Sequence, residues 1–257
     1  MALLYIIIYL FLQFIFFEGV LLFEGDPKNY SGVVTILAAM AAMGIYGIIF
    51  YLRSMRMFDN IKVRRLSLID IVLSFSLAIG FRILTAVYFL WAENVPILSE
   101  SIENAPTAYN FSTMTNFGMM TILFSMFVMA PLFEEFLFRG IMQKELARVM
   151  PLWLAIVIQG IVFGIVHQVL VQCIFSAIFG VILGVLYYKT KNLNITILAH
   201  ACFNLSTVLN IKEGDSIVKV VFMGIILTVT SLTFFFYIYK RKTAPVNGAL
   251  GGNRDDG

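Results

Sequence analysis

Two carboxylates and a guanidinium interrupt one of the most apolar stretches of this 257-residue chain, Pro131-Leu132-Phe133-Glu134-Glu135-Phe136-Leu137-Phe138-Arg139-Gly140. An ionisable side chain at the centre of a membrane-crossing helix costs about 2.5 to 3.5 kcal/mol on insertion scales, so each one calls for a chemical or structural reason. Glu135 and Arg139 are four apart, which brings them onto one helical face as an ion pair. Glu134 is rotated about 100° from Glu135, as 3.6 residues per turn requires, and stays free to act as a base. Pro131, one turn upstream, removes a helix hydrogen bond and bends the segment. The competing reading is a charged helix end at a membrane interface, and this run alone does not choose between the two.

The chain has 2 histidines, His167 in Phe163-Gly164-Ile165-Val166-His167 and His200 in His200-Ala201-Cys202-Phe203-Asn204. A single buried histidine is more often a core residue than a catalyst; two that share apolar surroundings with a glutamate pair reverse that balance. His200 and Asn204, again four apart, project to one side of their helix and can grip one oxygen. If the helix carrying Glu134 turns back near Met150-Pro151, where the residue before proline is pushed out of the α region, then Glu134 precedes the turn by as many residues as His167 follows it. At a common rise per residue the two side chains lie at one height in an antiparallel pair. His200 falls within a turn or two of that height if the next reversals lie near Val171 and Lys191.

These groups need elements to hold them, and the composition says which kind. With 60% apolar and 13% charged residues and a mean hydropathy of +0.92, the chain lies far from the soluble norm of about half apolar and a quarter charged. A water-soluble enzyme is excluded. Apolar runs at about 2–22, 33–52, 66–91, 114–138, 153–170, 173–188, 195–209 and 217–239 are each long enough, or nearly so, to cross as helices. None has the ten-residue alternation of an outer-membrane barrel strand. The expected architecture is all-α and polytopic, with about eight transmembrane helices: a membrane domain over 1–242, a motif core at about 114–209, and a disordered tail over 243–257. The run from Ala2 to Leu22 lacks a basic leader and a small-residue cleavage site, so it reads as a first span rather than a secretory signal.

Of the 18 Lys and Arg residues, most fall on even-numbered loops and three, Lys28, Lys212 and Lys219, on odd ones. The positive-inside rule then puts both termini of this multi-pass cell-membrane protein in the cytoplasm. The net charge of +3 gives no reason to expect nucleic acid. Cys173 and Cys202 lie in apolar runs and suggest no disulfide framework. Gly160-x-x-x-Gly164 and Ser176-x-x-x-Gly180-x-x-x-Gly184 read as close helix packing. Phe163 is either core filling or a wall beside His167. Arg82, Asp70 and Glu18 are given no catalytic role.

In that order on successive spans, Glu134-Glu135-x-x-x-Arg139, Phe163-x-x-x-His167 and His200-x-x-x-Asn204 resemble the motif set of the CPBP family of intramembrane proteases. That family includes CAAX prenyl endopeptidases and bacteriocin-processing or self-immunity proteins. The resemblance implies a glutamate-dependent endopeptidase in which Glu134 and His167 activate a water, His200 and Asn204 stabilise the oxyanion, and Glu135 and Arg139 support the site. It implies no cofactor and a hydrophobic or lipidated, for example prenylated, peptide as partner within the lipid bilayer. Zinc is the nearest chemical competitor, since two histidines and two glutamates are adequate ligands, but the His-Glu-x-x-His spacing of helix-borne zinc proteases is absent. Outside catalysis, the same charges suit a non-proteolytic immunity or peptide-binding protein, or a small transporter.

Overall fold

The computed structural model describes residues 2–23, 25–53, 61–104 and 113–207, together with residues 222, 224–226, 228–233 and 236 of a further helical stretch. Among the described residues there is no strand, and the elements are α1 (Ala2–Leu22), α2 (Pro27–Leu52), α3 (Leu68–Ala92), α4 (Pro96–Glu103), α5 (Asn116–Ala147), α6 (Leu152–Ile165), α7 (Leu170–Thr190) and α8 (Leu193–Thr207). Five of these, α1, α2, α3, α5 and α7, are long and apolar enough to cross a membrane. At 14 and 15 residues, α6 and α8 reach only about 21 and 22 Å at 1.5 Å per residue, short of a hydrocarbon core of about 30 Å. Where about eight spans are expected, the described residues show five helices of spanning length, with α6 and α8 shorter. The eighth expected run and the tail after residue 242 lie largely outside the described residues.

Local chemistry explains where the boundaries depart from the hydropathy pattern. α2 begins at Pro27, ahead of its apolar run, because Asp26 accepts the Lys28 N–H at 3.0 Å and proline suits the first helical position. α3 opens on a reciprocal capping box in which Ser67 and Asp70 satisfy each other's backbone N–H groups. That accounts for Asp70 without any catalytic role. Glu18 is exposed on α1. α6 stops at Ile165 rather than running to Leu170, because Gln168 adopts a left-handed backbone with φ 63°, a conformation unfavourable for a residue with a side chain and one that ends the helix. The unanticipated α4 lies over this reversal: Ser101 Oγ accepts the Val171 N–H at 3.1 Å, supplying an acceptor to the first turn of α7, whose own cap residue, Val169, has none.

Packing builds outward from α5. Tyr5 and Tyr9 of α1 and Tyr46 of α2 form an aromatic layer that ends on Phe133 of α5, with Tyr9 and Phe133 ring centroids 4.4 Å apart. Leu73, Leu77 and Phe81 of α3 pack against Phe179 and Leu183 of α7 and Ile195, Ala199 and Phe203 of α8. Beyond the membrane ends, residues 61–67 are pinned to the α7–α8 reversal, where Leu193 N–H bonds Lys62 O and Asn192 Oδ1 accepts the Arg64 N–H. Lys191, in the left-handed region with φ 49°, makes that reversal, where the spacing predicts it.

The glycine stripes are packing devices, as expected. A Cβ on Gly164 would lie 2.3 Å from the Cys173 carbonyl oxygen, and one on Gly180 would lie 2.9 Å from the Gly160 Cα, so α6 and α7 meet backbone to backbone. Gly44 of α2, by contrast, has nothing within 4 Å of a Cβ position. Gly164→Ala should therefore lower stability in detergent by about 1–3 kcal/mol, the usual cost of overpacking, read as a fall in the midpoint of thermal unfolding. Gly44→Ala should leave the midpoint unchanged or raise it; equal losses in the two variants would contradict this packing.

Candidate active site

The site is organised by α5, whose backbone is irregular on both sides of the glutamate pair. Ser125–Met129 and Phe136–Met142 are π-helical, flanking a short α-helical turn over Ala130–Glu135. Pro131 explains the first of these. Ala130 N–H bonds Ser125 O, one residue further back than in an α-helix, and the next donor due, at position 131, does not exist in proline. The Met126 carbonyl is left without a backbone partner. Asn204 of α8 supplies one, its Nδ2 donating to Met126 O at 2.8 Å. The distortion expected from proline is thus a widened turn, completed by a side chain from another helix.

Glu135 and Arg139 form the ion pair that their spacing predicts, Nη1 to Oε1 at 2.8 Å, and both side chains are fully buried. The π-helical turn between them rotates less per residue than an α-turn, so a four-residue step comes closer to a full revolution. Arg139 also donates through Nη2 to the Gly180 carbonyl of α7 at 3.0 Å and lies over the Phe163 ring of α6, 4.8 Å from its centroid. Glu135 Oε1 accepts a second bond, from His200 Nδ1 of α8, at 2.9 Å. With Arg139 beside it that carboxylate is an acceptor, so Nδ1 carries the histidine proton and Nε2 is left facing Glu134, whose Oε2 is 3.9 Å away.

His167 sits on the turn just after α6, not within a span. Its Nδ1 donates to the Phe163 carbonyl at 2.8 Å, which again leaves Nε2 as the unprotonated nitrogen. Phe163 joins the two histidines: its ring centroid is 5.1 Å from His167 and 5.7 Å from His200, edge to face in both cases. The antiparallel register expected about Met150-Pro151 is visible one turn away, where Phe138 and Phe163, equally far from the turn, have centroids 5.0 Å apart.

Glu134, Glu135, Arg139, Phe163 and His200 therefore gather in one cluster. His167 borders it through Phe163 and makes no ion pair with Glu134 among the described residues. Asn204 stands one turn beyond His200 and bonds α5 rather than either glutamate. No three His, Cys, Asp or Glu side chains among the described residues converge in a metal-binding arrangement; Glu135 is already committed to Arg139 and His200.

Sequence reasoning missed two supporting glutamines. Gln159 of α6 donates to Gly180 O at 2.8 Å, beside Arg139, and Gln143 of α5 donates to Gly184 O at 3.2 Å. The available signal was a pair of amides within apolar helices, opposite glycines that leave a neighbouring carbonyl accessible.

With this geometry in hand, comparison with known families finds that residues 116–206 match the model described as Rce1-like, type II CAAX prenyl endopeptidase Rce1-like. The matched segment contains every residue of the cluster. No curated protein and no solved structure matches the chain.

The Met126 carbonyl supplies a test of the proline account. Asn204→Ala should cost about 1–3 kcal/mol, the penalty for an unsatisfied buried acceptor. In a Pro131→Ala background, where an N–H returns at position 131, that penalty should shrink by half or more, measured as a double-mutant cycle on unfolding midpoints. Additive losses would show that proline and asparagine act independently.

Proposed function

We propose that this chain, a multi-pass membrane protein that carries an Rce1-like domain and so falls in the general class of CAAX-type proteases, hydrolyses a peptide bond in a hydrophobic or lipidated substrate with a glutamate-activated water and no metal ion. The observation that carries this reading is the His200 imidazole, held through Nδ1 by Glu135 at 2.9 Å and presenting Nε2 to Glu134 at 3.9 Å. That second separation is too long for a direct hydrogen bond and suits groups that share an intervening water.

In this mechanism Glu134, assisted by Nε2 of His167, takes a proton from a water whose oxygen attacks the scissile carbonyl carbon. The carbonyl oxygen becomes an oxyanion, stabilised by the remaining N–H of Asn204 and by His200 in its doubly protonated form, in which Nδ1–H stays on Glu135 and Nε2–H points to the oxyanion. The tetrahedral adduct collapses as the C–N bond breaks, and the proton held by Glu134 passes to the departing amine. Glu135 and Arg139 touch no reacting atom here; they fix the tautomer and the orientation of His200. Phe163 keeps one apolar wall between the two histidines.

The reversal after α6 agrees with a polar reaction site. Irregular backbone at membrane depth is tolerated where it is buried in protein or lines an aqueous cavity, and His167 lies on such backbone. Cleavage from the cytoplasmic side is part of the proposal, because α5 ends at the basic residues Lys144 and Arg148.

Glu134→Gln should reduce cleavage of a hydrophobic or farnesylated peptide in detergent by about 10²- to 10⁴-fold, the range for loss of a general base, while peptide binding persists. Turnover retained by that variant would refute the assignment. Catalysis by the wild-type protein should also resist chelators, and the purified protein should hold less than stoichiometric zinc by elemental analysis. Chelator-sensitive turnover restored by zinc would move the mechanism to a metal-activated water.

A further inference from the structure

Arg82 is a cation well inside a candidate membrane span that the glutamate cluster does not absorb. It lies within α3, half-buried, between Phe81 and Ile83. Its Nε donates to the Ser206 carbonyl of α8 at 3.4 Å, a long bond that uses one of the five N–H donors of a guanidinium. Among the described residues it has no carboxylate partner. A guanidinium at this depth is costly, and such residues face a bundle interior or a polar pathway where an anion or carbonyl meets them.

The position of Arg82 relative to the glutamates narrows the choice of anion. Phe81, its neighbour, packs on Phe179 and Phe203 at 4.8 and 5.4 Å between centroids, and Phe179 in turn lies 5.8 Å from the His200 ring. Ser206, the group that Arg82 touches, follows His200 by six residues on α8, about 9 Å along the axis at 1.5 Å per residue. Three residues of extended chain span about 10 Å. A CAAX tail ends in a carboxylate three residues beyond its modified cysteine. With the bond after that cysteine at Glu134, the carboxylate falls at the level of Arg82.

We infer that Arg82 binds the α-carboxylate of the substrate's C-terminus, so that the protein recognises a chain end at a fixed distance from the bond it cuts. The inference rests on the endopeptidase reading above. The physical basis is mutual: a carboxylate entering the bilayer and a guanidinium already there are each unfavourable alone, and a two-pronged pair offsets both. An internal segment of a longer protein brings no such charge and gains nothing at this position, which makes the contact a specificity device rather than a general source of affinity.

The test compares a farnesylated CAAX tetrapeptide bearing a free C-terminal carboxylate with the same peptide as its C-terminal amide. Binding is read by fluorescence anisotropy on the full-length Glu134→Gln protein in detergent, and cleavage on the protein with Glu134 intact. The acid should bind about tenfold more tightly than the amide, the scale of one charge-assisted contact. Adding Arg82→Gln should bring the ratio of acid to amide to about one, and Arg82→Lys should keep part of the preference. Equal binding of acid and amide to the protein with Arg82 intact, a preference that survives Arg82→Gln, or no measurable binding of either peptide would each overturn the inference. If neither peptide is cleaved although the acid binds preferentially, the endopeptidase reading fails while the carboxylate site stands.

Discussion

A carboxylate and a guanidinium that are both wholly withdrawn from solvent, at positions 135 and 139, set the terms for everything around them. Removing one member of such a pair leaves an uncompensated buried charge, at a typical cost of about 3–5 kcal/mol, so the surrounding helices are constrained to supply partners to both. α7 does so with the Gly180 carbonyl, α6 with the Phe163 ring and α8 with His200. The short helices α6 and α8 have little length with which to anchor themselves. Their attachment to this pair, directly or through Gln159, fixes their height relative to α5. The small residues of α6 and α7 then acquire a second purpose, since a Cβ on Gly180 would press on Gly160 and Phe163 and disturb the approach of α6 to the α7 carbonyl that Arg139 and Gln159 share.

The irregular backbone of α5 follows from the same economy of partners. A proline in the middle of a buried helix orphans an acceptor, and the orphan is answered across the bundle by Asn204. One of the two amide hydrogens of Asn204 is thus spent on a structural carbonyl, which leaves the other for the chemistry proposed for it. Turns of this widened type recur at functional sites; here one ends at Met129 and the other begins directly after Glu135, so the two glutamates share the regular turn between them.

Much of this was legible in the sequence because charge in an apolar run is rare enough to be informative. The pairing of Glu135 with Arg139, the reversals at Met150-Pro151 and Lys191, the packing role of the glycine stripes and the register of α5 against α6 all follow from spacing and helix geometry. Other features depend on what neighbours supply. Spacing from Arg139 already sets the held Glu135 apart from Glu134, but nothing in one dimension shows that His200 of α8 bonds the first and faces the second. His167 reads as mid-helix because hydropathy does not register a left-handed residue such as Gln168. The small helix α4 carries too few apolar residues to rise above the pattern of a loop, although Pro96 at its first turn marks its start. Gln143 and Gln159 carry no charge and draw no attention until the glycine carbonyls opposite them are seen.

The aromatic layer formed by Tyr5, Tyr9 and Tyr46 ends on Phe133, the residue next to Glu134, and α1 and α2 both precede the segment that matches the protease family. Part of the packing beside the glutamate pair is therefore built from chain outside the motif-bearing core. The matched segment cut free at residue 116 would keep the glutamate pair but lose the rings that now cover Phe133.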